Sequence, residues 1–183
     1  MKSKLIGKIG FVYLLLLALV LLAVDTFVVH ALKQEYVTAA MTQLEGLSSL
    51  TGARLPPMME PEELKNWTSW MGRSGARITV IARDGKVLAD TDEDPRKMEN
   101  HGGRPEVVQA FASGLGRAVR YSATLSRDLV YLAARYQQSN GIPLVVRFSV
   151  PVRRLDEALT KFRYRLIAVS LLILLISGSA SLR

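Results

Sequence analysis

The sequence predicts an α+β domain, a five-stranded antiparallel sheet with flanking helices, set between two transmembrane helices. Three observations predict it. Uncharged apolar runs occupy residues 9–24 and 166–182, near the two ends of a 183-residue chain. Residues 77–91 and 117–150 are rich in β-branched and aromatic residues and are broken by Asp84-Gly85 and Asn140-Gly141. Pro61-Glu62-Glu63 and Arg104-Pro105-Glu106 each open a short apolar-faced segment, with proline and acids where a helix starts.

The C-terminal run, LIAVSLLILLISGSASL, extends about 25 Å as a helix. That approaches a hydrocarbon core once Tyr164 is counted as an interfacial ring. A second predicted span covers residues 9–29, with Asp25 near the far interface. A cleavable signal peptide competes for it, since Val29-His30-Ala31 suits a peptidase, but the apolar core is long for one. Lys2, Lys4 and Lys8 favour a cytoplasmic N-terminus, residues 1–8. Arg153, Arg154, Lys161, Arg163 and Arg165 then lie outside, which a loop of more than about 60 residues permits. The net charge of +8 is explained largely by these two juxtamembrane clusters, so nucleic-acid binding is not expected. Absence of Cys excludes disulfides and thiolate chemistry.

Between the spans, roughly 120 residues suffice for one modest core. Val29, Leu32, Tyr36, Ala40, Leu44 and Leu47 form one stripe of an amphipathic stalk helix ended by Thr51-Gly52. Leu64, Trp67, Trp70 and Met71 form the apolar face of the next helix. Residues 77–91 form a hairpin turning at Asp84-Gly85. The helix from Pro105 turns Val107, Val108 and Phe111 inward and ends at Gly114. Strands follow at about residues 117–124, 128–137 and 142–150, the last alternating as a half-buried strand does. A stripe from Val152 through Leu155, Leu159, Phe162, Leu166, Val169 and Ile173 leads into the second span.

This order of elements resembles the sensor half of bacterial histidine kinases, of the phosphate-regulon and cell-wall-sensing type with an extracytoplasmic PAS-like (Cache) domain. The residues that carry the likeness are Asp84-Gly85-Lys86-Val87-Leu88-Ala89-Asp90-Thr91, Asn100-His101 and Arg104-Pro105-Glu106-Val107. Tyr131-Leu132-Ala133-Ala134 and Val145-Val146-Arg147-Phe148-Ser149-Val150-Pro151 complete it. The resemblance implies a PAS-like domain at residues 30–165, signalling across the inner membrane as a homodimer. It also implies a longer parent whose HAMP linker, phospho-acceptor helix and ATP-binding domain follow residue 183. Protein-histidine kinase activity, ATP, Mg²⁺ and a response-regulator partner would belong to that missing part. A chemoreceptor, a cyclic-dinucleotide enzyme or a self-contained two-span regulatory module could carry the same sensor.

The chain itself holds no catalytic signature. Gly114-Leu115-Gly116 has too few glycines for a phosphate loop. His30 and His101 lack a second ligand at metal spacing. Asp90, Asp92, Glu93, Asp94 and Glu99 could offer oxygens to a hard cation, but a solvated loop explains them as well. Arg120, Arg135 and Arg147 fall within strands, with Tyr121, Tyr131 and Tyr136 near them. Forked guanidinium donors suit carboxylates and phosphates. The expected ligand site is therefore Arg120, Tyr121, Tyr131 and Arg135, for a small anionic signal, or a protein one. The competing expectation is a solvated sheet face, which the alternation around Arg147 favours. Ser177, Gly178, Ser179 and Ser181 would allow close helix pairing in a dimer.

Overall fold

The structure is a computed structural model that describes residues 2–51, 60–122, 127–138 and 141–152, with positions 160, 161, 164, 165 and 167–169. The turn residue Asn140 and most of the second predicted span lie outside the described residues. The chain divides into two compact units, Val37–Arg153 and a second made of Met1–Tyr36 with Arg154–Arg183.

In the second unit, the first helix, α1 (Lys2–Thr51), begins. It exposes Leu15, Leu16, Leu19, Val20, Leu22 and Phe27. Among the described residues no helix is long and apolar enough to cross a membrane.

The unit Val37–Arg153 is built on one five-stranded antiparallel sheet. Its strands are β1 (Arg77–Ile81), β2 (Val87–Asp90), β3 (Leu115–Ser122), β4 (Arg127–Gln137) and β5 (Pro143–Pro151). Their order across the sheet is β2-β1-β5-β4-β3. The two hairpins flank β5, the last strand in sequence, which therefore becomes the central one. α2 (Pro61–Gly72), ahead of the first hairpin, and α3 (Pro105–Ser113), between the two hairpins in sequence, pack with the end of α1 around the sheet.

Partners in an antiparallel register share a face. Thr79 opposite Arg147, Ala133 opposite Arg147 and Gly116 opposite Ala133 place one set of odd- and even-numbered residues beneath α3. On this face Ile81, Ala133 and Val145 form a cluster with Val107 and Ala110 of α3. The opposite face carries Ile78, Val80, Leu132, Leu144, Val146 and Phe148, all essentially inaccessible. Glu45 and Ser48 of α1 bond to Arg117 and Tyr136 on that face, and Ala40 and Leu44 are buried.

Three expectations need correction. β5 is buried on both faces from Leu144 to Val150 rather than half-buried, because its central position puts α3 on one side and α1 with α2 on the other. Val108 points outward and is 52% exposed, while Glu106 and Ala110 turn in with Val107. Trp70 is 41% exposed, and Thr68 replaces it among the buried residues of α2. The two helix faces are rotated from those that hydrophobicity alone selects.

Candidate functional site

The α3-side face of the sheet concentrates charge where a domain of this size normally holds only apolar side chains. Glu106 lies in the first turn of α3 and is fully buried. Proline at N1 and a carboxylate beside the positive helix end favour starting the helix here. Gly116 lets α3 approach β3 closely: a Cβ there would overlap the Glu106 backbone carbonyl. That approach carries the Glu106 side chain down onto the sheet.

Two guanidinium groups meet it. Arg120 of β3 donates from Nη2 to Glu106 Oε1 at 2.7 Å and from Nε to Oε2 at 3.2 Å. Arg147 of β5 donates from Nη1 to Oε1 at 3.3 Å. Both also lie against Tyr131 of β4, with Arg120 Cζ 4.3 Å and Arg147 Cζ 5.0 Å from the ring centroid. Tyr131 is 2% exposed, so this cation–π contact is desolvated.

A second ion pair adjoins the first. Arg77 Nε lies 3.0 Å from Asp90 Oδ1 across the β1–β2 hairpin. Thr79 Oγ1 donates to Asp90 Oδ2 at 2.7 Å and accepts from Arg147 Nη2 at 3.2 Å, joining the two pairs. Three guanidiniums thus face two buried carboxylates, with the half-exposed Asp92 carboxylate 3.9 Å from Arg77 Nε at the edge. Among the described residues, Arg77 Nη2, Arg147 Nε and Ser149 Oγ are buried with no hydrogen-bond partner, and all three side chains share this face. Buried donors left without partners are costly, so the cluster retains capacity for an acceptor.

The loop after β2 brings His101 beside this cluster. The Asp84-Gly85 turn (Gly85 φ 85°) receives that loop, and a Cβ at Gly85 would overlap Asn100 Oδ1 and lie 2.5 Å from the Gly102 nitrogen. Asn100 Nδ2 donates to the Asp84 carbonyl at 2.8 Å, and His101 N donates to the Gly85 carbonyl at 2.8 Å. The His101 ring is buried, with Nδ1 2.7 Å from the Glu99 carbonyl. A carbonyl only accepts, so Nδ1 carries the proton.

Electrostatics match the geometry. Burial opposes the Glu106 carboxylate, but hydrogen bonds from Arg120 and its own backbone N–H, with the Arg120 and Arg147 charges, outweigh it and hold its pKa below the usual value. Burial lowers the Arg147 pKa against the pull of Glu106. Burial also lowers that of His101, reinforced by Arg147, Arg104 and Arg120 against the Glu99 hydrogen bond.

Of the expected site residues, Arg120 and Tyr131 are brought together here. Arg135 is exposed and donates to the Phe111 carbonyl at 2.8 Å. Tyr121, 59% exposed, lies on the opposite face of β3. Arg147 is only 3% exposed, so the solvated face expected for it is incorrect. Sequence reading missed Glu106, Arg77 and Asp90 as partners. In the acidic loop, Asp90 is held by Arg77 and Thr79, and Asp94 by Arg96. Among the described residues no group of three or more acidic or His side chains could hold a metal ion.

No protein-family model matches the chain, and no curated protein matches it in sequence. Solved structures do. The ligand-binding domain of the Pseudomonas aeruginosa PAO1 amino acid chemoreceptor PctC, in complex with GABA, aligns over 70% of this chain and 63% of its own, with 14% identity and TM-score 0.53. The ligand-binding domain of Mlp24 with asparagine aligns over 71% and 60%, with 14% identity and TM-score 0.52. The fold of this chain is PAS-like, as in these ligand-binding domains. At these identities the likeness is one of fold, and this chain spans less than two thirds of either matched chain. The Escherichia coli DcuS sensor domain aligns over 68% of this chain and 95% of its own, with 11% identity and TM-score 0.49, below the level that argues for a shared fold.

Proposed function

We propose that this chain senses a small anionic ligand outside the cell and transmits the signal across the inner membrane, as the input portion of a two-component sensor histidine kinase. The sensor domain is residues 30–165, between spans at residues 9–29 and 166–182. The observation that carries the sensing role is the buried arginine cluster beneath α3, with donors left over on Arg77, Arg147 and Ser149. Arg120, Arg147 and Tyr131 bind the anion. The PAS-like fold supports sensing, since concave faces between a sheet and its helices commonly take small ligands. The exposed Leu and Val side chains of α1 support contact with lipid.

Ligand binding acts on signalling only through a difference in affinity between two conformations. α3 is the element in direct contact with the site, and in sequence the chain after β5 continues into the second proposed span. A homodimer would carry the change to a cytoplasmic kinase, which would use ATP and Mg²⁺ and pass phosphate to a response regulator. PctC, named as a chemoreceptor, favours a chemoreceptor output as the second reading, with the same sensor; a cyclic-dinucleotide enzyme is a further output that the same sensor could serve.

The coding sequence past codon 183 tests the kinase assignment. A HAMP-like linker followed by a helix with a phospho-acceptor His is expected. A methyl-accepting signalling helix bundle, or a stop codon, overturns it and leaves the sensor role to be judged on ligand binding.

A further inference from the structure

We infer that Glu106 is a tethered occupant of the anion site, and that a small carboxylate activates the sensor by displacing it. The inference rests on the sensing role proposed above for the same face. It starts from a mismatch. Arg120 engages both Glu106 oxygens at 3.2 Å or less, but Arg147 reaches Oε1 only through Nη1, at 3.3 Å. Its Nε is left without a partner although the residue is 3% exposed. Ser149 Oγ, at 1% exposure, and Arg77 Nη2 are likewise unmatched on the same face. A free carboxylate can approach a guanidinium through two parallel N–H bonds. A carboxylate fixed to the backbone of α3 engages Arg147 through one nitrogen only.

Glu106 is also fixed where its departure must move something. Its backbone carbonyl lies against Gly116, with no room there even for a methyl group. The carboxylate is fully buried, so it cannot leave by a rotamer change into solvent that is already in contact with it. A ligand that takes the guanidiniums must swing the side chain out and lift the first turn of α3 from β3. Site occupancy is thereby coupled to a displacement of a whole helix. The tether has a cost to ligand affinity: an internal competitor reduces apparent affinity by the fraction of time that the site stands open.

The direction of the Glu106 effect separates this from the alternative in which Glu106 holds a cationic part of the ligand. A competitor, once neutralised, lets anions bind more tightly. A ligand contact, once neutralised, weakens binding.

The test uses the full chain in detergent micelles, as wild type, Glu106→Gln and Glu106→Ala. Sodium propionate is the probe, with sodium chloride at equal ionic strength and neutral propionamide as controls. Binding is read by calorimetry and by the shift in melting temperature. Both variants are expected to bind propionate at least tenfold more tightly than wild type, with a saturable rise in Tm that chloride and propionamide do not give. Folding of either variant only in the presence of propionate supports the same conclusion. Equal or tighter binding by wild type overturns the displacement while leaving the anion site in place. Absence of propionate binding in wild type and both variants overturns the displacement and the anion site together. If neither variant folds even in propionate, Glu106 is an indispensable structural ion and the inference fails.

Discussion

Glu106 and Arg147 are 41 residues apart in sequence, yet their side chains meet at 3.3 Å in the interior of the domain. The contact needs two separate features. The central position of β5 places Arg147 under α3. Gly116 then allows α3 to descend until the Glu106 carboxylate reaches it. Arg120 and Tyr131 complete the enclosure from β3 and β4.

Removing one partner of a buried ion pair leaves the other uncompensated, at a cost of about 3–5 kcal/mol. Arg147→Met should therefore destabilise the domain strongly despite its apolar replacement. Denaturant unfolding of the single variants and of Arg147→Met combined with Glu106→Gln measures the coupling. A coupling energy of about 0.5–3 kcal/mol is expected for groups in one network. Strict additivity would show that the two do not interact.

Gly116→Ala forces a methyl group onto the Glu106 carbonyl. A loss of about 1–3 kcal/mol is expected, as for other overpacked sites. Gly103→Ala is the control, because nothing lies within 4 Å of a Cβ there. Its effect should stay within about 0.5 kcal/mol. Equal effects at the two glycines would contradict the close approach of α3.

His101 predicts a pH dependence of known sign. Burial, then the charge of Arg147, lowers its pKa from the usual 6.5, with Arg104 and Arg120 adding to this and the Glu99 hydrogen bond opposing it. The unfolded chain takes up this proton more readily than the folded one. The His101 contribution is full above pH 6.5, the usual value, and is lost as pH falls through the lower folded value. Unfolding free energy should drop in wild type as pH falls below 6.5, by up to about 1.4 kcal/mol per pH unit from this one group. It should drop less in His101→Gln. Parallel curves would remove the assignment.

Topology is open to direct labelling because the chain has no native Cys. Val119 is 48% exposed on β3, so Val119→Cys should react with an impermeant maleimide in intact cells. Ser3→Cys should react only after permeabilisation. The reverse pattern would place the Val37–Arg153 unit in the cytoplasm.

Much of the fold was legible in the sequence, and the reasons are local. Asp84-Gly85 pins the first hairpin, although the loop closes over three residues, with Ala82 N donating to the Lys86 carbonyl, and a register shift between Val80 and Ile81 then sets Thr79 opposite Asp90. Pro105 and Gly114 bracket α3 as a proline start and a left-handed glycine end should. What escaped is the order of strands, which depends on contacts distant in sequence. Without it β5 reads as half-buried, Arg147 as solvated and Glu106 as a helix-start acid only. Tyr121 and Arg135 were grouped with Arg120 by sequence proximity, whereas strand parity sends Tyr121 to the other face. Arg77 and Asp90 could have been paired from the hairpin register alone, since both fall on the same face of the two strands.

The central claim is that the arginine cluster beneath α3 binds an anionic signal. Melting of the full chain with a panel of small carboxylates, amino acids and inorganic phosphate, in wild type and Arg120→Gln, tests it most directly. At least one anion should raise the wild-type Tm saturably, and Arg120→Gln should abolish that rise. A panel without effect on wild type, or a rise undiminished in Arg120→Gln, would contradict the claim.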